Sequence, residues 1–232
     1  MPITSSTTLL TQRETALRLG VSERRVTALR QAHEITALPV GAGGFLITAS
    51  SVQRYERWAG KPGRPYSAAM AFAALYLLSG EPTPWIDAPH RYRLRQYLRT
   101  TDAEKLTRLC RRRARTLEFW CRDSLIGKAA ARLRLSAATG PLAAKFQLTD
   151  TNALEGYATA DDAEWVAAAC RMKINVEPIT VRLRVADWLP DGDGPMPLAV
   201  CAADLAESND PRERRAGLET LEHLLEHFRR RI

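Results

Sequence analysis

An α+β fold is what this 232-residue sequence predicts, and three observations predict it. Two short helical patterns joined across a glycine open the chain. An apolar alternation that turns at a glycine cluster follows them. Farther on, strand-like stretches interleave with helical ones. Residues 1–60 read as a small unit, 61–68 as a linker, and 69–232 as a larger mixed α+β domain.

Thr11 stands where a helix cap belongs, ahead of Ala16, Leu17 and Leu19 as apolar positions. Gly20 ends that helix, since the residue there takes a left-handed backbone. Val21 plugs the corner and Ser22 caps a second helix, which turns Val26 and Leu29 inward. Ser22, Glu23, Arg24, Arg25, Thr27 and Arg30 lie on its other faces. Two short helices across such a turn make a helix-turn-helix, whose second helix places its N-terminal residues at base edges in the major groove. Arginine suits bidentate contact with guanine, so Arg24, Arg25 and Arg30 are the base-reading candidates, with Ser22, Glu23 and Thr27 beside them. A helical corner with a charged surface fits the same spacing. "ITALPVGAGGFLIT", from Ile35, predicts a hairpin turned by Gly41, Gly43 and Gly44, a wing whose Gly43 approaches backbone or minor groove. "TASSVQRYERWAG" predicts a further helix capped near Ser50 or Ser51, with Val52, Tyr55 and Trp58 on one face. The stretch "RETALRLGVSERRVTALRQ" resembles the excisionase and MerR-like winged helix families, a resemblance that implies DNA binding.

"GKPGRPYS", Gly60 to Ser67, forbids regular structure by its prolines and glycines. Lys61 and Arg64 on it suit a minor-groove strip and a solubilising linker equally. "PHRYRLRQYLRTTDAEKLTRLCRRRARTLEFW", Pro89 to Trp120, predicts two helices broken near Thr100 to Asp102. Arg91, Arg95 and Arg99 recur every fourth residue and share a face. In the second helix Leu106, Leu109, Ala114 and Leu117 face inward, while Arg108, Arg111, Arg112, Arg113 and Arg115 outnumber nearby acids. Unpaired like charges repel, so a phosphate surface is the expected relief, one that orients a protein without reading sequence.

In the rear, residues 132–136, 145–149 and 153–158 predict short strands, Thr159 or Asp161 caps a helix, and Ile179 to Ala186 alternates clearly enough to predict a strand with one buried face. "LPDGDGPMP" is a loop. Two helices close the chain, the last capped by Asp210 with Pro211 at its first position.

The charge is uneven: residues 1–130 hold 21 Lys and Arg against 10 Asp and Glu, and residues 131–232 hold 13 against 16. A basic front with a mildly acidic rear points to a polyanion as partner. No apolar run approaches the roughly 20 residues of a membrane span, and no secretion signal precedes the first helix, so the expected setting is cytoplasmic. Four widely spaced cysteines read as reduced and mostly buried.

Catalytic and metal constellations fail on spacing. His223 and His227 lack the glutamate that a metalloprotease helix places after its first histidine. Asp187, Asp191 and Asp193 do not complete a calcium loop, and "GAGG" has no following Lys-Ser or Lys-Thr. Asp204, within an alanine-rich helix, reads as a partner for a nearby arginine or as a cap. Neither an enzyme nor a cofactor or metal is expected.

"GRPYSAAMAFAALYLLSG", "RARTLEFW", "LEGYATADDAEWVAAA", "ITVRLRV" and "PLAVCAADLAESNDPRERRAGLETLEHLL" occur in this order. Together they resemble the actinobacterial branch of the AbiEi family of type IV antitoxins over most of residues 10–227. The resemblance implies a winged helix-turn-helix ahead of a larger α+β domain, repression of the protein's own operon, and opposition to a nucleotidyltransferase toxin encoded beside it, generally without a stable complex. The expected partner is double-stranded DNA of the protein's own promoter, in inverted or direct repeats. An excisionase-like recombination accessory, or an interaction module acting on a toxin, remains the alternative.

Overall fold

The computed structural model describes residues 8–41, 43–61, 63–137, 139, 141–148 and 153–230. It is an α+β structure with two sheets. The front opens with strand β1 (Leu9–Leu10), then helices α1 (Gln12–Leu19) and α2 (Glu23–Gln31), a hairpin of β2 (Ala37–Val40) and β3 (Gly44–Thr48), and helix α3 (Ala49–Glu56). The three strands form an antiparallel sheet in the order β1-β3-β2. Thr11 and Glu14 make a reciprocal capping box at the start of α1, and Gly20 closes it at φ 65°. Ser22 Oγ accepts from the Arg25 amide at the start of α2. Ala16, Val26, Leu29, Ile35, Ile47 and Val52 form the small core beneath. One expectation is corrected here: Thr48, not Ser50 or Ser51, precedes α3. Both serines are buried inside the helix, and the Ser51 hydroxyl donates to the Thr48 carbonyl at 2.8 Å.

Residues 61 and 63–67 carry no regular structure but are not a free strip. The Tyr66 amide donates to the Leu109 carbonyl at 2.8 Å. Helices α4 (Ala68–Ser79), α5 (Ala88–Thr100) and α6 (Ala103–Cys110) follow. The expected continuation of the basic helix to Trp120 is overturned. After a 3-10 turn at Arg111–Arg113 the chain becomes strand β4 (Arg115–Trp120), because a place beside a central strand outweighs the helical spacing of Leu106, Leu109 and Leu117.

The second sheet contains β4, β5 (Arg134–Leu135), β6 (Leu154–Ala158), β7 (Lys173–Ile174) and β8 (Val181–Val185), in the order β5-β6-β8-β4-β7. Only β6 and β8 run parallel, joined by a crossover through helix α9 (Ala160–Ala169), which Thr159 caps. Helix α7 (Asp123–Ala130) joins α9 on the face presented by Phe119, Leu154, Val181 and Leu183. Residues 145–149 are not a strand: α8 (Pro141–Lys145) ends there in a turn, and position 149 lies outside the described residues. The expected single buried face of β8 is also corrected. Glu155, Tyr157 and Arg184 point away from α9 and are buried as well, because α10 (Leu198–Ala206) covers that side. Helix α11 (Pro211–Arg230), with Asp210 Oδ1 accepting from the Arg212 and Glu213 amides, packs on α10 and completes the helical layer with α4, α5 and α6.

Candidate nucleic-acid interface

The buried side of α2 is Val26 and Leu29, so its opposite side is left to solvent. Ser22, Glu23, Arg24 and Arg25 are exposed in succession at its N-terminal end. Arg24 and Arg25 have no acid within ion-pair distance among the described residues. Thr27, half-buried, donates its hydroxyl to the Glu23 carbonyl at 3.2 Å. Arg30 lies 4.2 Å above the Phe45 ring, so its guanidinium is stacked on the hairpin. Gly41 and Gly43, at φ 54° and 89°, supply the left-handed backbone that the hairpin turn requires, with Ala42 outside the described residues. From α1, exposed Arg13 and the 75% exposed Leu17 add to this surface. Leu17 therefore is not a core position of α1.

Sequence reasoning put Lys61 and Arg64 on a minor-groove strip or a plain linker and grouped the arginines of residues 91–115 as a phosphate surface, and the structure divides both sets. Arg64, Arg112 and Arg115 line a cleft of about 620 Å³ together with His33, just beyond the C-terminal end of α2. Arg64 and Arg115 are exposed and without an acid partner among the described residues. Arg112 keeps 39% of its side chain exposed while pairing with Glu34 at 2.6 Å. Lys61, half-exposed, sits 3.9 Å from Glu104.

Three expected phosphate contacts are corrected. Arg91 spends its donors on Thr83 Oγ1 and on the Thr83 and Ile86 carbonyls, tying down the turn before α5. Arg111 makes two parallel bonds to the Glu34 carboxylate at 3.0 Å. Arg108 is buried against the linker, next to Gly63. Arg95 and Arg99 remain accessible but line a different cleft, with Tyr92, His227 and Phe228, where α5 meets α11. Arg99 donates to Gln96 there.

Arg113 is a fourth such correction, and the most deeply buried of the four. It is 1% exposed and donates to Tyr157 Oη, Glu207 Oε1 and Asp204 Oδ1. Arg184 reaches the same acids from β8 and adds Glu155 at 2.6 Å. Tyr157 and Ser136 donate their hydroxyls to Asp204. Two guanidiniums thus face three buried carboxylates. Burial pushes the Glu155 carboxyl above its ordinary range against the opposing pull of Arg184. With every carboxylate held by donors, the cluster is a structural knot between the sheet and α10. Asp204 does pair with arginine, but with partners on distant elements. No group of His, Cys, Asp and Glu among the described residues is arranged to hold a metal ion. No helix among them is long and apolar enough to cross a membrane.

Sequence reasoning missed His33, Glu34 and Phe45. Glu34 was readable only as a lone acid after α2, since what it binds lies 77 positions onward. No family model, curated protein or solved structure matches the chain.

Proposed function

We propose that the protein is a sequence-specific DNA-binding transcriptional repressor whose helix α2 reads the major groove. One observation carries this reading: Arg24 and Arg25 stand exposed and unopposed at the start of a helix whose other side is packed, while neighbouring cations such as Arg18, Arg54 and Arg111 are bound to acids. That pair is free to meet phosphates or base edges without first breaking an ion pair. The hairpin beside α2 supports the reading, since its Phe45 holds Arg30 in place. Arg64, Arg112 and Arg115 in the adjoining cleft are then the phosphate contacts that set orientation. The operon role is that of an autoregulating type IV antitoxin acting against a nucleotidyltransferase, and it follows from the motif resemblance. We assign no catalytic activity, because the buried carboxylates are saturated by guanidinium and hydroxyl donors.

Footprinting on the DNA upstream of the protein's own gene, at several salt concentrations, tests this. The parent protein protects a discrete site. Arg25→Ala loses about 1–3 kcal/mol there and relaxes preference at one base position. Arg115→Ala weakens all sequences alike and lowers the salt slope by about one. Equal affinity of parent and Arg25→Ala for the site, or no preference of the parent for upstream over unrelated DNA, overturns the assignment.

A further inference from the structure

A further pocket, of about 550 Å³, opens between the start of the α4–α5 connection and the 188–197 loop. Its walls are aromatic: Tyr76 and Trp85 meet edge to face at 5.0 Å, and Trp85 and Trp188 approach at 5.4 Å. Prolines extend the apolar lining. Its rim is acidic, with Glu81 on one side and Asp191 and Asp193 on the other, all exposed. None of the three has an ion-pair partner among the described residues.

Arg134 is the one cation lining this pocket, and it is used as a clamp. It donates to the Pro190 carbonyl at 2.8 Å and to the Gly194 carbonyl at 3.4 Å, which holds the loop bearing the two aspartates. Gly192, at φ 143°, takes a backbone conformation there that residues with a side chain rarely adopt. The loop is therefore fixed in the shape that presents its carboxylates.

A separate observation points to a ligand. Tyr76 is only 6% exposed, lines the pocket, and its buried hydroxyl has no hydrogen-bond partner among the described residues. A buried hydroxyl left unmatched is costly, and a donor entering the pocket relieves it.

We propose that this pocket binds an organic cation, an alkylammonium or guanidinium group on an apolar stem. The aromatic walls attract the cation through their electron-rich faces, the carboxylates neutralise it, and Tyr76 Oη accepts one of its N–H bonds. Two sources carry this chemistry, a free aliphatic polyamine and a basic side chain of another protein. The site is independent of the DNA surface, sharing no residue with α2 or the Arg64–Arg112–Arg115 cleft.

Calorimetric titration of the full chain, free of DNA, with spermidine, with a short lysine- and arginine-containing peptide, and with an uncharged diol of similar length tests the proposal. Saturable heat with spermidine, with the peptide, or with both supports it, and their ratio names the source. Asp191→Asn with Asp193→Asn lowers that affinity about tenfold or more, and Tyr76→Phe lowers it about three- to tenfold, with both variants folded by circular dichroism. Absence of saturable heat with either cation, equal binding by the diol, or unchanged affinity in the folded double variant overturns it.

Discussion

Arg113 and Arg112 are neighbours in sequence and opposites in setting. Arg113 is sealed between Asp204, Glu207 and Tyr157, so Arg113→Met leaves two carboxylates buried without their strongest donor. Urea denaturation is expected to show a loss of about 3–5 kcal/mol. Arg112→Ala, by contrast, leaves Glu34 still held by Arg111, and the same measurement is expected to change by less than about 1 kcal/mol. The cysteines give a second contrast between appearance and setting. All four are free and buried, and burial pushes the Cys110 and Cys201 thiols up to about 12. A thiol pKa raised in the folded state stabilises the fold below the ordinary thiol range, and that contribution fades as pH climbs through it toward 12. At pH 8 the native chain is therefore expected to resist iodoacetamide, with four alkylations appearing on mass spectrometry only after denaturation.

Helices α10 and α11 meet so closely that Gly217 has no room for a side chain. A Cβ there falls at 2.5 Å from the Ala202 carbonyl oxygen, and closer still to the Ala206 amide nitrogen. Both obstacles are backbone, which cannot turn aside as a flexible side chain does. Gly217→Ala, favourable by helix propensity alone, is expected to destabilise by about 1–3 kcal/mol through overpacking, seen as a lower melting temperature. The elements that were easiest to read in the sequence share a local signal. Thr11, Ser22 and Asp210 sit at the caps that spacing assigned to them, and Thr159 is the one taken of the two that spacing offered, because a cap is a contact across three residues. β4 was hidden because its residues also fit a helix, and its strand state depends on β8 more than 60 positions away. The two-residue strands β1 and β7 have no pattern of their own and exist only as partners of β3 and β4.

The front elements are held to the rear by polar contacts around α3 and the end of α2. Glu34 grips Arg111 and Arg112, Arg57 reaches Asn209 and the Glu207 carbonyl, and Ser50 donates to Glu118. These fix how α2 is presented relative to the Arg64–Arg115 cleft. Combining Glu34→Ala with Arg57→Ala is expected to loosen that docking, with faster proteolysis between residues 57 and 67, while the rear core keeps its melting transition. Charge totals foretold a basic front, yet the arginines of residues 108–113 turned out to be largely neutralised in place. Local rules act over one helical turn, so the amino-acid order alone decided the caps of α1, α2 and α11, the α1–α2 corner, the hairpin glycines and the exposure of Arg24 and Arg25. Pairing of charges acts through space: Arg111 and Arg113 meet their acids 77 and 94 positions away, and only the folded chain could separate the cations that serve the core from those left exposed to solvent.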